Sequence, residues 1–344
     1  MPHTPASSAL EASPLDSVPV DADVAEILRV AAHASGELPL PGRGQTLVLW
    51  DALAGLAARS VEAARIVEPH LDAIAILAQA REDGADLGRL DGMSDAASPA
   101  TWGVFAAESA GVHLQARRES DEWRLSGTKP WCSLAGTLSH ALVTAWVDDE
   151  NRQLFAVDLR DPGVRPRTGP WVSRGLHRVV SAPVDFDAAP AQPIGNVGWY
   201  LRRPGFSWGG IGVAAIWWGG AAPLVTAIAD AARSERADQA AHVYAGRADA
   251  AQWTARLALE HAAARVDAGA RADPAESKLL AARVRAVVAD AADEIIALAD
   301  RALGPAPLTT DDAHAGRVAD LRIYLRQHHA ERDLARLGAA AVRS

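Results

Sequence analysis

The sequence predicts a mainly α-helical protein with a central antiparallel β domain, and three observations predict it. Apolar residues recur at three- and four-residue steps from Asp21 to about Gly84. Between about Pro99 and Gly195 they fall instead into short alternating or continuous runs broken by turn residues. Helical periodicity returns at Gly205 and holds to the end of the chain. The divisions that follow are a loose tail over 1–20, a helical domain over 21–98, a β domain over 99–198 and a C-terminal bundle of about four long helices over 199–344.

The tail is rich in Ser, Pro and Ala and has little periodicity. "DVAEILRVAAHA", "LVLWDALAGLAARS" and "SVEAARIVEPHLDAIAILAQARED" supply the first helices, and "DGADLGRLDGMSDAASPA" is a boundary of Gly, Asp, Ser and Pro. "EWRLSG", "HALVTAWVDD", "RQLFAVDL" and "SAPVDFDA" read as strands, in a region whose prolines at 162, 166, 170, 183 and 190 would each break a helix. The bundle then begins with "GGIGVAAIWWGGAAPLVTAIADAARSE", whose glycines allow close helix packing with Trp217 and Trp218 in the core or at a subunit interface. Asp273 and Pro274 form a cap and first turn for a later helix.

Composition narrows the function. Hydrophobic residues at 49% and charged residues at 22% fit a folded globular chain. A net charge of −9 argues against general nucleic-acid or anionic-membrane binding. A single cysteine, Cys132, excludes an internal disulfide and any cysteine-cluster metal site. The start lacks the basic flank and apolar core of a signal peptide, and no apolar run reaches the roughly 18 residues of a membrane span, so a reduced cytoplasmic protein is expected.

The most specific stretch is "WRLSGTKPWCS", residues 123–133. Alone, it is compatible with an ordinary hairpin holding a core tryptophan. Its Gly127, Lys129 and Trp131, together with Gly175, Phe186-Asp187 and Ile194-Gly195 farther on, resemble the β-domain motifs of the acyl-CoA dehydrogenase family of flavoproteins. The three-part layout resembles that family as well: helical domain, β-barrel-like domain, four-helix bundle. The resemblance implies bound FAD, with Trp131 against the flavin ring, Cys132 and Ser133 at its edge, and the backbone of Phe105, Ala106 and Ala107 beside it. It also implies an acyl-CoA or other small-molecule substrate and a homo-oligomer, dimer or tetramer.

The chain departs from the family in ways that bear on chemistry. "FAAESAGVH" lacks the flavin-binding threonine and the serine that would contact a pantetheine arm, and no arginine motif for the ADP half of the flavin is visible. Counted from Ala319-Asp320, Asp311 takes the position of the α-proton base, although Asp311 and Asp312 equally suit a helix cap. His328 and His329 stand where dehydrogenases place a flavin contact and are closer to the same-fold monooxygenases. On a helix they would point about 100° apart, so that at most one would face the flavin pocket. A solvated helix face is an equal reading of the pair, and a zinc site built from them and His314 has the wrong spacing. Three functions follow from the resemblance: α,β-dehydrogenation of an acyl thioester, flavin-dependent monooxygenation, or a weakly catalytic subunit in a hetero-oligomer with a paralogue.

Overall fold

The computed structural model describes residues 13–87, 90, 99–269 and 273–342. Residues 1–12 of the expected tail, and most of the boundary over 88–98, lie outside that set. From Ser13 onward the tail reading is corrected. Pro14–Ser17 form a 3-10 turn capped by Ser13, and Leu15 and Val18 are fully buried. Arg59 fastens this segment by donating to the carbonyls of Leu15, Asp16 and Val18, and Arg178 does the same at Val20 and Ala22.

The N-terminal domain contains α1 (Val24–Ala34), α2 (Thr46–Arg59) and α3 (Val61–Glu82). Ser60 separates the last two, its side chain accepting from the Ala63 amide to start α3. Pro69 sits inside α3, where it lacks the amide that would bond the Arg65 carbonyl.

Seven strands follow: β1 (Trp102–Phe105), β2 (Leu114–Glu119), β3 (Glu122–Ser133), β4 (His140–Trp146), β5 (Arg152–Asp158), β6 (Val164–Pro166) and β7 (Ser181–Ile194). They run in the order β1-β4-β2-β3-β7-β5, and β5 also pairs with β4, so five strands close into a ring. Leu125, Val143, Phe155 and Val184 are all fully buried in this domain. Most pairings are antiparallel as expected, but β1 lies parallel to β4 with Phe105 opposite Val143. The ring closes between β2 and β4 through a single parallel pair, Gln115 opposite Trp146.

The C-terminal region contains α4 (Trp199–Arg202), α5 (Pro204–Arg233), α6 (Gln239–Ala268), α7 (Pro274–Leu303), α8 (Ala306–Thr310), α9 (Asp312–Tyr324) and α10 (Glu331–Ala341). The expected four long helices are therefore three of 30 residues each, with α2 packed beside α5 and the last helical segment divided. Asp273 and Pro274 begin α7 as the cap and first turn. One helix among the described residues, α5, is long and apolar enough to cross a membrane, with a mean hydropathy of 1.6, contrary to the expectation of none. Two-thirds of that apolar window is buried inside the protein, with Trp217 completely enclosed.

The glycines of α5 do different work. A Cβ on Gly219 would run into the Ala54 backbone of α2, so this residue sets how closely the two helices approach. A Cβ on Gly212 would meet Trp50 Nε1 at 3.5 Å, an ordinary contact. Gly212→Ala is therefore expected to stabilise by about 0.5–1 kcal/mol through reduced freedom of the unfolded chain. Gly219→Ala is expected to destabilise by about 1–2 kcal/mol through overpacking. Denaturant melts of both variants check the pair, and a shift of the same sign in both would refute the distinction.

Candidate functional site

The hairpin strand β3 shows how the sequence places its aromatic. Side chains in a regular strand alternate, so Lys129 and Trp131 would share a face. Instead, Lys129 pairs with Val184 and Cys132 with Ala182, three steps on β3 against two on β7. The extra residue is a β-bulge, and Trp131 adopts a positive φ of 56° within it. Lys129 consequently points into the barrel and is fully buried, while Trp131 turns outward and is 59% exposed. The core-tryptophan reading is thereby excluded. The Cys132 thiol is buried, and burial pushes it up to about 12, so it remains an unreactive thiol at neutral pH. Ser133 shares a 2.7 Å hydrogen bond with the Ser181 hydroxyl and accepts from Arg65 Nη2 at 3.2 Å. Phe105 is buried on β1, whereas Ala106 is half-buried and Ala107 exposed beyond the strand.

Arg65 leads from this hairpin to a cavity of about 450 Å³. Its other terminal nitrogen lies 3.7 Å from the Glu68 carboxylate, which lines the cavity. The remaining walls come from Asp72 on α3, Tyr200 on α4, Ser207 to Val213 on α5, Arg285 on α7 and the segment from Gln327 to Arg336. Arg203 is buried across from Asp72 at 3.8 Å and stacks over Tyr200. Burial pushes the Glu68 carboxyl up to about 7, with Arg65 opposing and Asp72 reinforcing the shift. The Asp72 carboxyl is raised by the same cause, with Arg203 opposing.

These shifts set a sign for stability. The folded state holds the Glu68 proton more tightly than the unfolded chain, whose carboxyl titrates near 4.5. Its effect is therefore a cost that grows as pH rises from about 4.5 to about 7 and is complete above that. Glu68→Gln removes the cost. The variant should melt higher than the wild type at pH 8, by a margin that vanishes toward pH 4.5. Thermal melts at both pH values test this, and a pH-independent margin would refute it.

The structure also relocates the sequence candidates. His328 and His329 do not lie on a helix: a 3-10 turn ends at Gln327, His328 is extended at φ −90°, and Ala330 has φ +42° before α10 begins. A buried turn, with His328 only 7% exposed, has replaced the regular helix. The His328 ring faces the cavity and makes no hydrogen bond to a described residue, and burial lowers its pKa. His329 is exposed and sits 3.4 Å from Asp333. Asp311 is exposed and caps α9, accepting from the His314 amide at 3.1 Å. It does not line the cavity, so the cap wins over the base. No group among the described residues has the geometry of a metal site. Glu68, Asp72, Arg203 and Arg285 were absent from the sequence candidates. The one local signal was "VEPHLD", two acids a turn apart around a proline inside an otherwise apolar helix.

The helical domain, closed β ring and long-helix bundle, with a cavity among the helices that Arg65 connects to the Trp131 hairpin, define the acyl-CoA dehydrogenase fold. The chain has that fold. No family model matches the sequence, and no curated protein does. Among solved structures, it resembles KijD3 in complex with FMN and dTDP-3-amino-2,3,6-trideoxy-4-keto-3-methyl-D-glucose: TM-score 0.79, 20% identity, 99% of this chain and 94% of that one. Butyryl-CoA dehydrogenase from Megasphaera elsdenii gives 0.76 at 17% identity, covering 93% and 89%. FMN-bound TdsC from Paenibacillus sp. A11-2 gives 0.72 at 16% identity, covering 85% and 82%.

Proposed function

We propose that this chain is a flavin-dependent oxidoreductase of the monooxygenase type, acting on a polar small molecule in the Glu68 cavity. The observation that carries the reading is Arg65, which touches Ser133 beside the outward-turned Trp131 and lies next to Glu68 in the cavity wall. The hairpin fits a flavin: an exposed indole offers a flat apolar face, and Ser133 a hydroxyl at its edge. Trp131, Ser133 and the backbone of Phe105, Ala106 and Ala107 would hold the ring system. Bound reduced flavin supplies two electrons to dioxygen, so that one oxygen atom enters the substrate and the other leaves as water. His328, neutral at pH 7, holds a proton on the cavity wall, and Glu68 accepts or returns one at about the same pH.

Acyl-CoA dehydrogenation is the weaker reading, because Asp311 is committed to a helix cap and charged groups line the cavity. Buried charges left facing an acyl chain would cost free energy that an acyl chain does not return. The FMN named with KijD3 and TdsC favours FMN over FAD here, as does the missing arginine motif. Val243, Trp253 and Leu257, exposed on α6, support association into an oligomer.

Absorbance of the purified chain, with chromatographic identification of any released flavin, is the first experiment. It is followed by anaerobic acyl-CoA addition and by oxygen uptake with externally reduced FMN. Bound flavin that no thioester bleaches, with oxygen uptake, is expected. Bleaching by a thioester would overturn the monooxygenase reading, and absence of flavin after incubation with excess FMN and FAD would favour the subunit reading.

A further inference from the structure

We propose that the cavity receives a small molecule bearing both a protonated amine and an anionic group, the amine held by Glu68 and Asp72 and the anion by Lys278 and Arg336. Glu68 and Asp72 lie one helical turn apart on α3, so both carboxylates face the same side. Their cations, Arg65 and Arg203, stand at 3.7 and 3.8 Å, beyond hydrogen-bond length, and Glu68 Oε2 accepts a long bond from the Tyr324 hydroxyl at 3.5 Å. Among the described residues, this leaves Glu68 Oε1 and the Asp72 oxygens open to a donor. A Cβ on Gly209 of α5 would lie 2.8 Å from Asp72 Oδ1, so that glycine keeps the carboxylate uncovered. The His328 ring, nine-tenths buried and without a hydrogen bond to a described residue, faces the same cavity.

The rim has the opposite character. Lys278 is exposed and makes no hydrogen bond or ion pair with a described residue, and Arg336 is exposed with only Asp333 at 3.3 Å. A ligand with its cation at the floor and its anion at the rim matches both ends. A wholly apolar ligand would leave Glu68 with only the long Tyr324 bond and Asp72 without a donor, at a cost of a few kcal/mol.

Proton transfer is part of the inference. The ammonium N–H bond breaks toward Glu68, giving the free amine and the carboxylic acid, with no change in oxidation state. The amine lone pair then becomes available for oxidation, and in that last respect the inference rests on the proposed monooxygenase reading. The charged and titratable groups facing Glu68 are Arg65 and Asp72 on its own helix, Tyr200 on α4, Arg285 on α7 and Tyr324 on α9, whose hydroxyl is 3.5 Å away.

The test uses titration calorimetry of the intact chain with glucosamine 6-phosphate and glucose 6-phosphate at pH 6 and pH 8. Flavin content is read by absorbance on the same samples, so failure of the flavin reading is seen separately. The two sugars share the phosphate, and their affinity ratio isolates the amine. With Glu68 titrating at about 7 and the sugar's own ammonium losing its proton at about 8, the ratio should rise about fivefold from pH 6 to pH 8 in favour of the amine. Glu68→Gln should lower the amine preference and flatten its rise with pH, and Lys278→Ala should weaken both ligands alike. An amine preference that is absent or flat with pH in the wild type overturns the proposal, as does failure of both sugar phosphates to bind. The wild-type pH series decides the matter even if Glu68→Gln does not fold.

Discussion

Trp131→Ala is expected to bind flavin about 100-fold more weakly while the protein keeps its fold. Covering one indole face removes on the order of 80 Å² of apolar surface from water, about 2 kcal/mol at 25 cal/mol per Å². Aromatic stacking adds about 0.5–1.5 kcal/mol. Together these correspond to roughly two decades in affinity. The same substitution takes little from the apoprotein, because the indole is mostly exposed and makes no ring contact with a described aromatic. Fluorescence titration with FMN and FAD, paired with thermal melts, measures both halves. Unchanged flavin affinity with an intact fold would sink the assignment of the hairpin.

The second large effect concerns the residue two positions earlier. Lys129 Nζ, inside the barrel, donates to Glu108 Oε1 at 2.6 Å, the Thr144 carbonyl at 2.8 Å and the Thr144 hydroxyl at 2.9 Å. Lys129→Met keeps the length of the side chain but leaves those acceptors without their donor, at a cost of about 3–5 kcal/mol. Burial by itself would raise the Glu108 carboxyl, yet hydrogen bonds from Lys129 and Arg152 prevail and hold it below the usual range. A depressed folded-state pKa gives stability that is present above the ordinary glutamate range and lost as pH falls through the depressed value. The stability gap between wild type and the Met variant should therefore be widest above the ordinary glutamate range and narrow as pH falls below it. Since the buried ammonium anchors the bulge that turns Trp131 outward, flavin affinity should drop too. Denaturant melts across pH 3–8 check the first effect, and a loss below about 1 kcal/mol would show that the cluster is not the anchor.

Both residues stood out in the sequence because the motif that contains them is local. "GTKPW" compresses a glycine that must adopt φ +117°, a buried cation and an aromatic into one strand, and "DP" opens α7 where local capping chemistry says it should. The parallel pairing of β1 with β4 was not legible, since register between strands more than thirty residues apart leaves no periodicity in either one. The break over Leu325–Ala330 was hidden for a different reason. "RQHHAERD" is acceptable helix sequence, and tertiary burial of His328 overrides that weak local preference. Asp311 was placed by counting, and a count cannot tell a carboxylate facing a cavity from one facing its own helix amides. Glu68 and Asp72 fell on a helix whose stripe said only that they were not core. That they face a cavity rather than bulk water depends on where α5 and α7 cross, and α3 carries no record of it.

The β ring has one thin joint. Four of its five seams are stitched by runs of paired residues, and the fifth by Gln115 and Trp146 alone. Beside that joint, His113, Arg117, Trp146 and Asp148 line a second hollow of about 360 Å³. A closed ring resists shear only as well as its weakest joint, so slow deuterium uptake should distinguish it from the rest of the wall. Amides near Gln115 and Trp146 would exchange by local opening, well before those between β3 and β7. The barrel would then behave as a hinged cuff around the Lys129 cluster, loosening on the side away from the Trp131 hairpin's partner strand while the β3–β7 seam holds Trp131 in position.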